Sequence, residues 1–273
     1  MTTRYGLVSG GNRGIGLAVI CLLLSTDESL HVLMGSRSLG RAESAIEKLP
    51  QDLRSRCTGV ELDVTDANSL TNAFKNVSAI TPALSLLINN AGILGETDSK
   101  EATLATNYFG VISCTTTFLP LLKKGVGTKT IIATSSSCGV RHMSKVDKEV
   151  REKLMSNELT VHELTSIVNN LAADTDDIYS VTKLAANMHT RILARELANE
   201  NINAVAVSPG FTNTDMCNNY TGDRQPKEVP LGASVFHEAL FGVGKDKTGI
   251  FIKQNSEAGT PLDQAKSKVT DWQ

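Results

Sequence analysis

Tyr179 and Lys183 stand four residues apart in the stretch DIYSVTK. On a helix that spacing puts a phenol and an ammonium on one face, projecting the same way. A free phenol has a pKa near 10, too weak an acid to be poised at neutral pH. An ammonium one turn away favours the phenolate and should lower that value, which suits proton transfer to an oxygen. A solvated helix face explains the same two residues without chemistry, so the rest of the chain has to decide.

A second cluster lies near the start. SGGNRGIG, residues 9–16, follows the apolar run YGLVS and places Gly10, Gly14 and Gly16 at a strand-to-helix turn. Residues without Cβ at such a turn let the backbone approach a pyrophosphate at the helix N-terminus. Tightness of the turn alone is the competing reason for glycine. Dinucleotide-binding domains that take NAD carry a carboxylate at the end of the second strand, for the ribose 2′-hydroxyl. This chain has Ser36 and Arg37 there, with Arg13 in the glycine turn. Two arginines converging where a carboxylate is missing favour a 2′-phosphate, hence NADP(H). Asp63, in ELDVTD, suits contact with the adenine ring or a helix cap equally well. NNAG (89–92) and TSSSCG (134–139) close the fourth and fifth apolar runs, where open α/β sheets bind their ligands.

The elements that must position these residues follow from the patterning. YGLVS, HVLMGS, TGVELDV, LSLLINN, TIIATS, INAVAVS and TGIFIK read as strands, separated by helical stretches such as LGRAESAIEKL and SLTNAFKNV. That alternation predicts a doubly wound α/β domain with a parallel sheet covered on both faces, one domain over residues 1–273. Residues 141–176 break the rhythm as a helical insertion before the tyrosine. Within it, Thr160 and Glu163 form a capping-box pattern, and Val161, Leu164, Val168 and Leu171 recur as one apolar stripe.

Composition sets the outer limits. A formal charge of -2 over 273 residues lacks the basic excess a nucleic-acid footprint needs. The longest apolar run, Leu17 to Leu24, is far short of the roughly 20 residues of a membrane span. The five cysteines are odd in number and scattered, which reads as reduced thiols in a cytoplasmic protein. The histidines show no metal-ligand spacing, so no metal is expected.

In their order along the chain, SGGNRGIG, NNAG, Asn107 in NYFG, TSSSCG, YSVTK and SPGFTNTDM resemble the short-chain dehydrogenase/reductase family. The resemblance covers nearly the whole chain and implies a Rossmann-type sheet. It implies Tyr179 as the catalytic acid, Lys183 as its partner and a ribose ligand, and Asn107 as holder of a water linking Lys183 to solvent. Ser136 is implied as the serine on the substrate carbonyl, because Gly139 follows three residues later; Ser135 and Ser137 stay open. For the cofactor it implies Gly10, Asn12, Arg13, Gly14, Ile15, Gly16, Arg37, Asp63, Asn90 and Gly92. Pro209, Gly210 and Thr214 join them, with Tyr179 and Lys183. Ser9 departs from the family's usual threonine but keeps the hydroxyl.

Ser136 and Tyr179 are 43 positions apart, a long interval that resembles the carbonyl reductase branch, with its plant menthone and alkaloid reductases. In that branch the insertion covers the surface other members use to oligomerise, so a monomer is expected. The implied reaction is NADPH-dependent reduction of a ketone or aldehyde, with residues 211–232 as the substrate loop. The alternatives are an NADP-dependent secondary-alcohol or hydroxysteroid dehydrogenase working oxidatively, and an NADP(H) sensor without turnover.

Overall fold

The structure is a computed structural model that describes residues 2–94, 98–218, 220–242, 244–270 and 272. Asn219, within the expected substrate loop, lies outside the described residues. Eight strands form one sheet: β1 (Arg4–Val8), β2 (Leu30–Ser36), β3 (Cys57–Glu61), β4 (Leu86–Asn89), β5 (Lys129–Thr134), β6 (Ile202–Ser208), β7 (Ile250–Gln254) and β8 (Ser267–Thr270). Their order across the sheet is β3-β2-β1-β4-β5-β6-β7-β8.

The first seven strands are parallel and coincide with the seven apolar runs of the sequence. The sheet is parallel as the alternation predicts, apart from one edge strand that the patterning does not mark. β8 pairs antiparallel with β7, Ile252 opposite Val269. Its segment SKVT has a single apolar residue, Val269, exposed at 39%, so no buried run marks it. A short edge strand carrying lysine is how a sheet margin avoids further pairing. Trp272 just beyond it donates its indole N–H to Gly249 O at 2.9 Å and packs on Phe251.

The helices on the two faces are α1 (Gly14–Thr26), α2 (Leu39–Ile46), α3 (Gln51–Arg54), α4 (Ala67–Ile80), α5 (Lys100–Leu104) and α6 (Gly110–Lys123). They continue with α7 (Ser137–Met143), α8 (Lys148–Met155), α9 (Val161–Ala173), α10 (Ile178–Glu196) and α11 (Val229–Phe241). One core lies under α1 and α11, with Val8, Met34, Ile132, Val207 and Phe236 at 0–1% exposure. The other lies under α4, α6 and α10, around Leu7, Leu33, Leu87 and Phe118. β1 separates β2 from β4, so the chain order reverses there and a crevice opens at the carboxyl ends of β1 and β4.

The insertion adds a third apolar cluster. Thr160 caps α9 as its spacing with Glu163 predicts, the two residues exchanging side-chain and backbone hydrogen bonds. Leu164 and Val168 are fully buried and Val161 and Leu171 half-buried, all against Val181, Ala185 and Met188 of α10. Arginines of α10 secure the neighbouring turn: Arg191 donates to Leu154 O and Met155 O at 3.1 Å each. Those carbonyls end α8, where a helix leaves its acceptors unpaired and a cation is favourable.

Candidate active site

The glycine turn folds around a serine. Ser9 Oγ accepts the backbone N–H groups of Asn90 at 3.0 Å and Ala91 at 3.1 Å, tying the turn after β1 to the turn after β4. Asn90 Nδ2 answers by donating to Ser9 O and Gly10 O at 3.1 and 3.0 Å. Gly10 has φ +63°, and a Cβ on it would stand 2.9 Å from Ala91 Cα. On Gly16 a Cβ would come 2.3 Å from Gly10 O, so only glycine lets α1 start against the turn. No side chain caps α1 and its first turn holds no acidic residue, which leaves the helix N-terminus to an anion. Asn12 and Ile15 are half-buried within this turn. Thr214, from the segment after β6, lies over Gly14, whose added Cβ would meet Thr214 Cγ2 at 3.4 Å.

Beside the turn is a cavity of about 580 Å³, lined by Asn12, Arg13, Ser38, Arg41, Lys48 and Asp215 among others. Its three cations are Arg13, Arg41 and Lys48. Arg13 Nη1 holds Asp215 Oδ2 at 2.8 Å, an exposed ion pair across the mouth. Arg37 is exposed just past β2, outside this lining, to which Arg41 and Lys48 add two further cations beside Arg13. Asp63 Oδ1 accepts from Thr65 N and Thr65 Oγ1 at 2.9 and 2.7 Å in a local turn. The helix cap considered for it belongs to Asp66, which begins α4.

At the far end of the crevice Tyr179 and Lys183 occupy the first turns of α10, capped by Asp177. α7 crosses α10 at Gly139, where a Cβ would stand 2.5 Å from the backbone of Lys183 and Leu184. That approach sets Ser136, the N-cap of α7 whose Oγ accepts the Cys138 N–H at 3.1 Å, beside the Tyr179 hydroxyl. Ser135 points elsewhere, donating to Asn187 Oδ1 at 2.6 Å and Lys183 O at 3.1 Å, and Ser137 faces Ser208. Only Ser136 of the three meets the tyrosine among the described contacts.

Lys183 is buried, its Nζ donating to Thr134 O at 2.7 Å and lying 5.4 Å from the centre of the Tyr179 ring. Burial pulls its pKa down to about 8. The lowered tyrosine pKa expected from the sequence is not found in the protein alone. Enclosure by protein raises it, Cys138 and Cys217 add to the rise, and the Ser136 hydrogen bond only partly offsets them. Asn107 sits in a π-helical turn, Ala105–Phe109, an irregularity common at functional sites. Its amide clamps the backbone of Ile93, accepting from N and donating to O at 2.8 Å each. Gly92 lies between Asn107 and Lys183, an added Cβ falling 3.2 Å from Asn107 Oδ1 and 3.8 Å from Lys183 Nζ.

Pro209 is buried and Gly210 exposed with φ +84°, at the carboxyl end of β6. Behind Gly210 stands a residue the sequence reading passes over. Lys227 is 6% exposed, with its ammonium on Gln254 O at 3.1 Å and on Gln254 Oε1. Its backbone pairs with Phe211 O and Asn213 N at 2.8 Å each, so it closes the segment from Phe211 to Lys227 into a loop clasped to β7. Arg41 and Lys48 are the other omissions, although Arg41, Ser44, Ala45 and Lys48 recur at three, four and seven, a helical face readable in advance.

Comparison with known proteins decides the family. The short chain dehydrogenase family model matches residues 5–147. The chain belongs to the short-chain dehydrogenase family. A second model, described as enoyl-(acyl carrier protein) reductase, matches residues 144–237. Carbonyl reductase (NADPH) 1 of Sus scrofa is 30% identical over 95% of this chain and 96% of its own length. Among solved structures, salutaridine reductase from Papaver somniferum superposes with a TM-score of 0.77 at 26% identity, covering 91% of this chain and 99% of that one. NADPH-bound carbonyl reductase from chicken fatty liver gives a TM-score of 0.69 at 25% identity, over 93% and 97% of the two chains. As a short-chain dehydrogenase, the chain carries the family's sheet with its crevice at the β1 and β4 ends.

Proposed function

We propose that this short-chain dehydrogenase is an NADPH-dependent carbonyl reductase that converts a ketone or aldehyde to its alcohol. The observation that carries the reading is the Tyr179 hydroxyl meeting Ser136 beside the buried Lys183 ammonium, at the end of the crevice that starts at the glycine turn. Similarity to carbonyl reductases named for NADPH supports the cofactor and the reaction class.

The residues fit the cofactor. Gly10, Gly14 and Gly16 clear the backbone for a pyrophosphate, Asn90 braces the turn, and Arg13, Arg41 and Lys48 suit a 2′-phosphate. Arg37 stands near enough in sequence to join them. When bound, NADPH supplies the hydride. Tyr179, held protonated at neutral pH by its enclosure, gives its proton to the carbonyl oxygen. Ser136 donates to that oxygen as charge develops on it. Lys183 holds a positive charge beside the phenolate left behind and takes the ribose hydroxyls. Asn107 fixes the backbone of Ile93, which shapes the wall next to Lys183. Pro209, Gly210 and Thr214 line the nicotinamide side, and residues 211–232 form the substrate loop.

Two further features complete the proposal. The face of α10 is covered by α9, which supports a monomer. Five free thiols support a reducing, cytoplasmic location. Among the described residues no helix is long and apolar enough to cross a membrane.

The test is loss of NADPH absorbance with quinones, isatin, menthone-type ketones and aldehydes, with Tyr179→Phe run alongside. Turnover that collapses in the variant supports the reading. Equal turnover in both proteins removes Tyr179 from the mechanism.

A further inference from the structure

A second cavity, about 390 Å³, has Tyr179 in its lining. One wall is a single helical face: Cys138, Arg141, His142 and Lys145 recur at three, four and seven along α7 and the turn that follows it. The lining also includes Asp176 and Asp177. The cavity is therefore lined by two cations and two carboxylates, but their situations differ.

Both carboxylates are engaged. Asp176 Oδ1 lies 3.3 Å from Lys100 Nζ, and Asp177 Oδ1 accepts the Ser180 N–H at 3.2 Å as the cap of α10. Neither Arg141 nor Lys145 has a carboxylate partner among the described residues. The Arg141 guanidinium rests instead on the Cys138 sulfur, Nη2 to Sγ 3.0 Å, a weak acceptor for a charged donor. Between the two cations the His142 ring is 8% exposed, and its buried Nδ1 has no hydrogen-bond partner. A buried polar atom without a partner costs free energy that a ligand can recover.

We propose that the carbonyl compound reduced here carries a carboxylate that docks on Arg141 and Lys145. This rests on the carbonyl reductase reading and names the substrate class of the same site. Arginine pairs with carboxylate through two parallel N–H groups, and the lysine adds a second positive charge beside it. Ser136, on the reacting oxygen, caps the helix that carries Arg141 five residues later. Five residues is more than one helical turn, so the two stations are set apart along the axis and not side by side. The acid group therefore belongs at a distance from the carbonyl and not next to it, a separation that an aromatic ring or a short unsaturated chain can supply.

The experiment compares acid and neutral ester in two pairs: para-carboxybenzaldehyde with its methyl ester, and para-formylcinnamate with its methyl ester. NADPH oxidation is followed in wild type, Arg141→Met, the Arg141→Met/Lys145→Met double variant and Arg141→Lys. Both side chains are exposed, so the substitutions spare the core. In wild type kcat/KM for the acid should exceed that of the ester by about tenfold in at least one pair, through KM, as a charge-assisted contact gives. The ratio should fall toward one in the double variant and partly return in Arg141→Lys. Reduction of the esters with no preference for either acid overturns the inference and leaves carbonyl reduction standing. A preference that survives the double variant overturns the assignment to these two residues. If no carbonyl compound in this set or the wider panel is reduced although NADPH binds, the carbonyl reductase reading fails and the inference with it.

Discussion

The ammonium of Lys183 lies 5.4 Å from the centre of the Tyr179 ring, with its hydrogen bond given to Thr134 O at 2.7 Å. Desolvation acts on both groups and drives them apart: the phenol is raised and the ammonium lowered to about 8. At neutral pH the tyrosine keeps its proton and most of the lysine stays charged. That is the starting state a proton donor needs.

The pH dependence of reduction should therefore fall on the alkaline side near pH 8, as Lys183 loses its charge. In Lys183→Met the remaining activity, lower by about 10²-fold or more, should lose that limb. Stability moves the other way. Between about pH 8 and 10.5 the unfolded chain keeps a proton on this lysine that the folded chain has released, so the group favours folding more as pH rises. Below that window both states are protonated and the contribution is flat. Urea midpoints of wild type and Lys183→Met at pH 7.5 and 10.5, chosen to bracket the window, should differ in this sense.

The three adjacent serines should separate by readout. Ser136→Ala removes the contact to the tyrosine hydroxyl, and kcat should fall about 10²-fold or more. Ser135→Ala instead breaks hydrogen bonds to Asn187 Oδ1 and Lys183 O, and should cost about 1–3 kcal/mol of stability. Steady-state kinetics and denaturant unfolding on the same two proteins decide it.

Cofactor choice should follow the cations of the larger cavity. Arg41→Glu and Lys48→Glu should each raise the NADPH KM about tenfold while moving the NADH KM little, since only the 2′-phosphate is lost to them. Asp215→Asn releases Arg13 from its ion pair. Because that pair is 64% and 69% exposed, NADPH binding should tighten by no more than about fivefold.

The insertion should matter to stability in proportion to what it buries. Leu164 is 0% exposed against α10, and Leu164→Ala should cost about 2–5 kcal/mol, measured by urea unfolding.

What could be read in advance divides along physical lines. The parallel strands were legible because each is an apolar run between turn residues, and the capping box because Thr160 and Glu163 act within one turn. β8 was not, since an exposed edge of four residues carries no hydrophobic signature. The glycine turn was legible because Gly10 and Gly16 leave no room for Cβ and Gly10 and Gly14 hold positive φ. Spacing reveals the charged neighbour of Tyr179 but not the enclosure that raises its pKa in the protein alone. Lys227 was invisible for a related reason: its partner Gln254 lies 27 residues away at the end of β7, and nothing local announces a buried ammonium.

α9 lies across α10, the helix that carries both Tyr179 and Lys183. That face of the helix is thus covered by the chain's own insertion, and under the proposed monomer no second copy packs there. Two inactive variants, one at Tyr179 and one in α9, should then fail to rescue each other when mixed, because a sound tyrosine and a sound α9 must come from the same molecule. Specific activity should hold on serial dilution, and the enzyme can be immobilised through the exposed face of the insertion without a partner to lose.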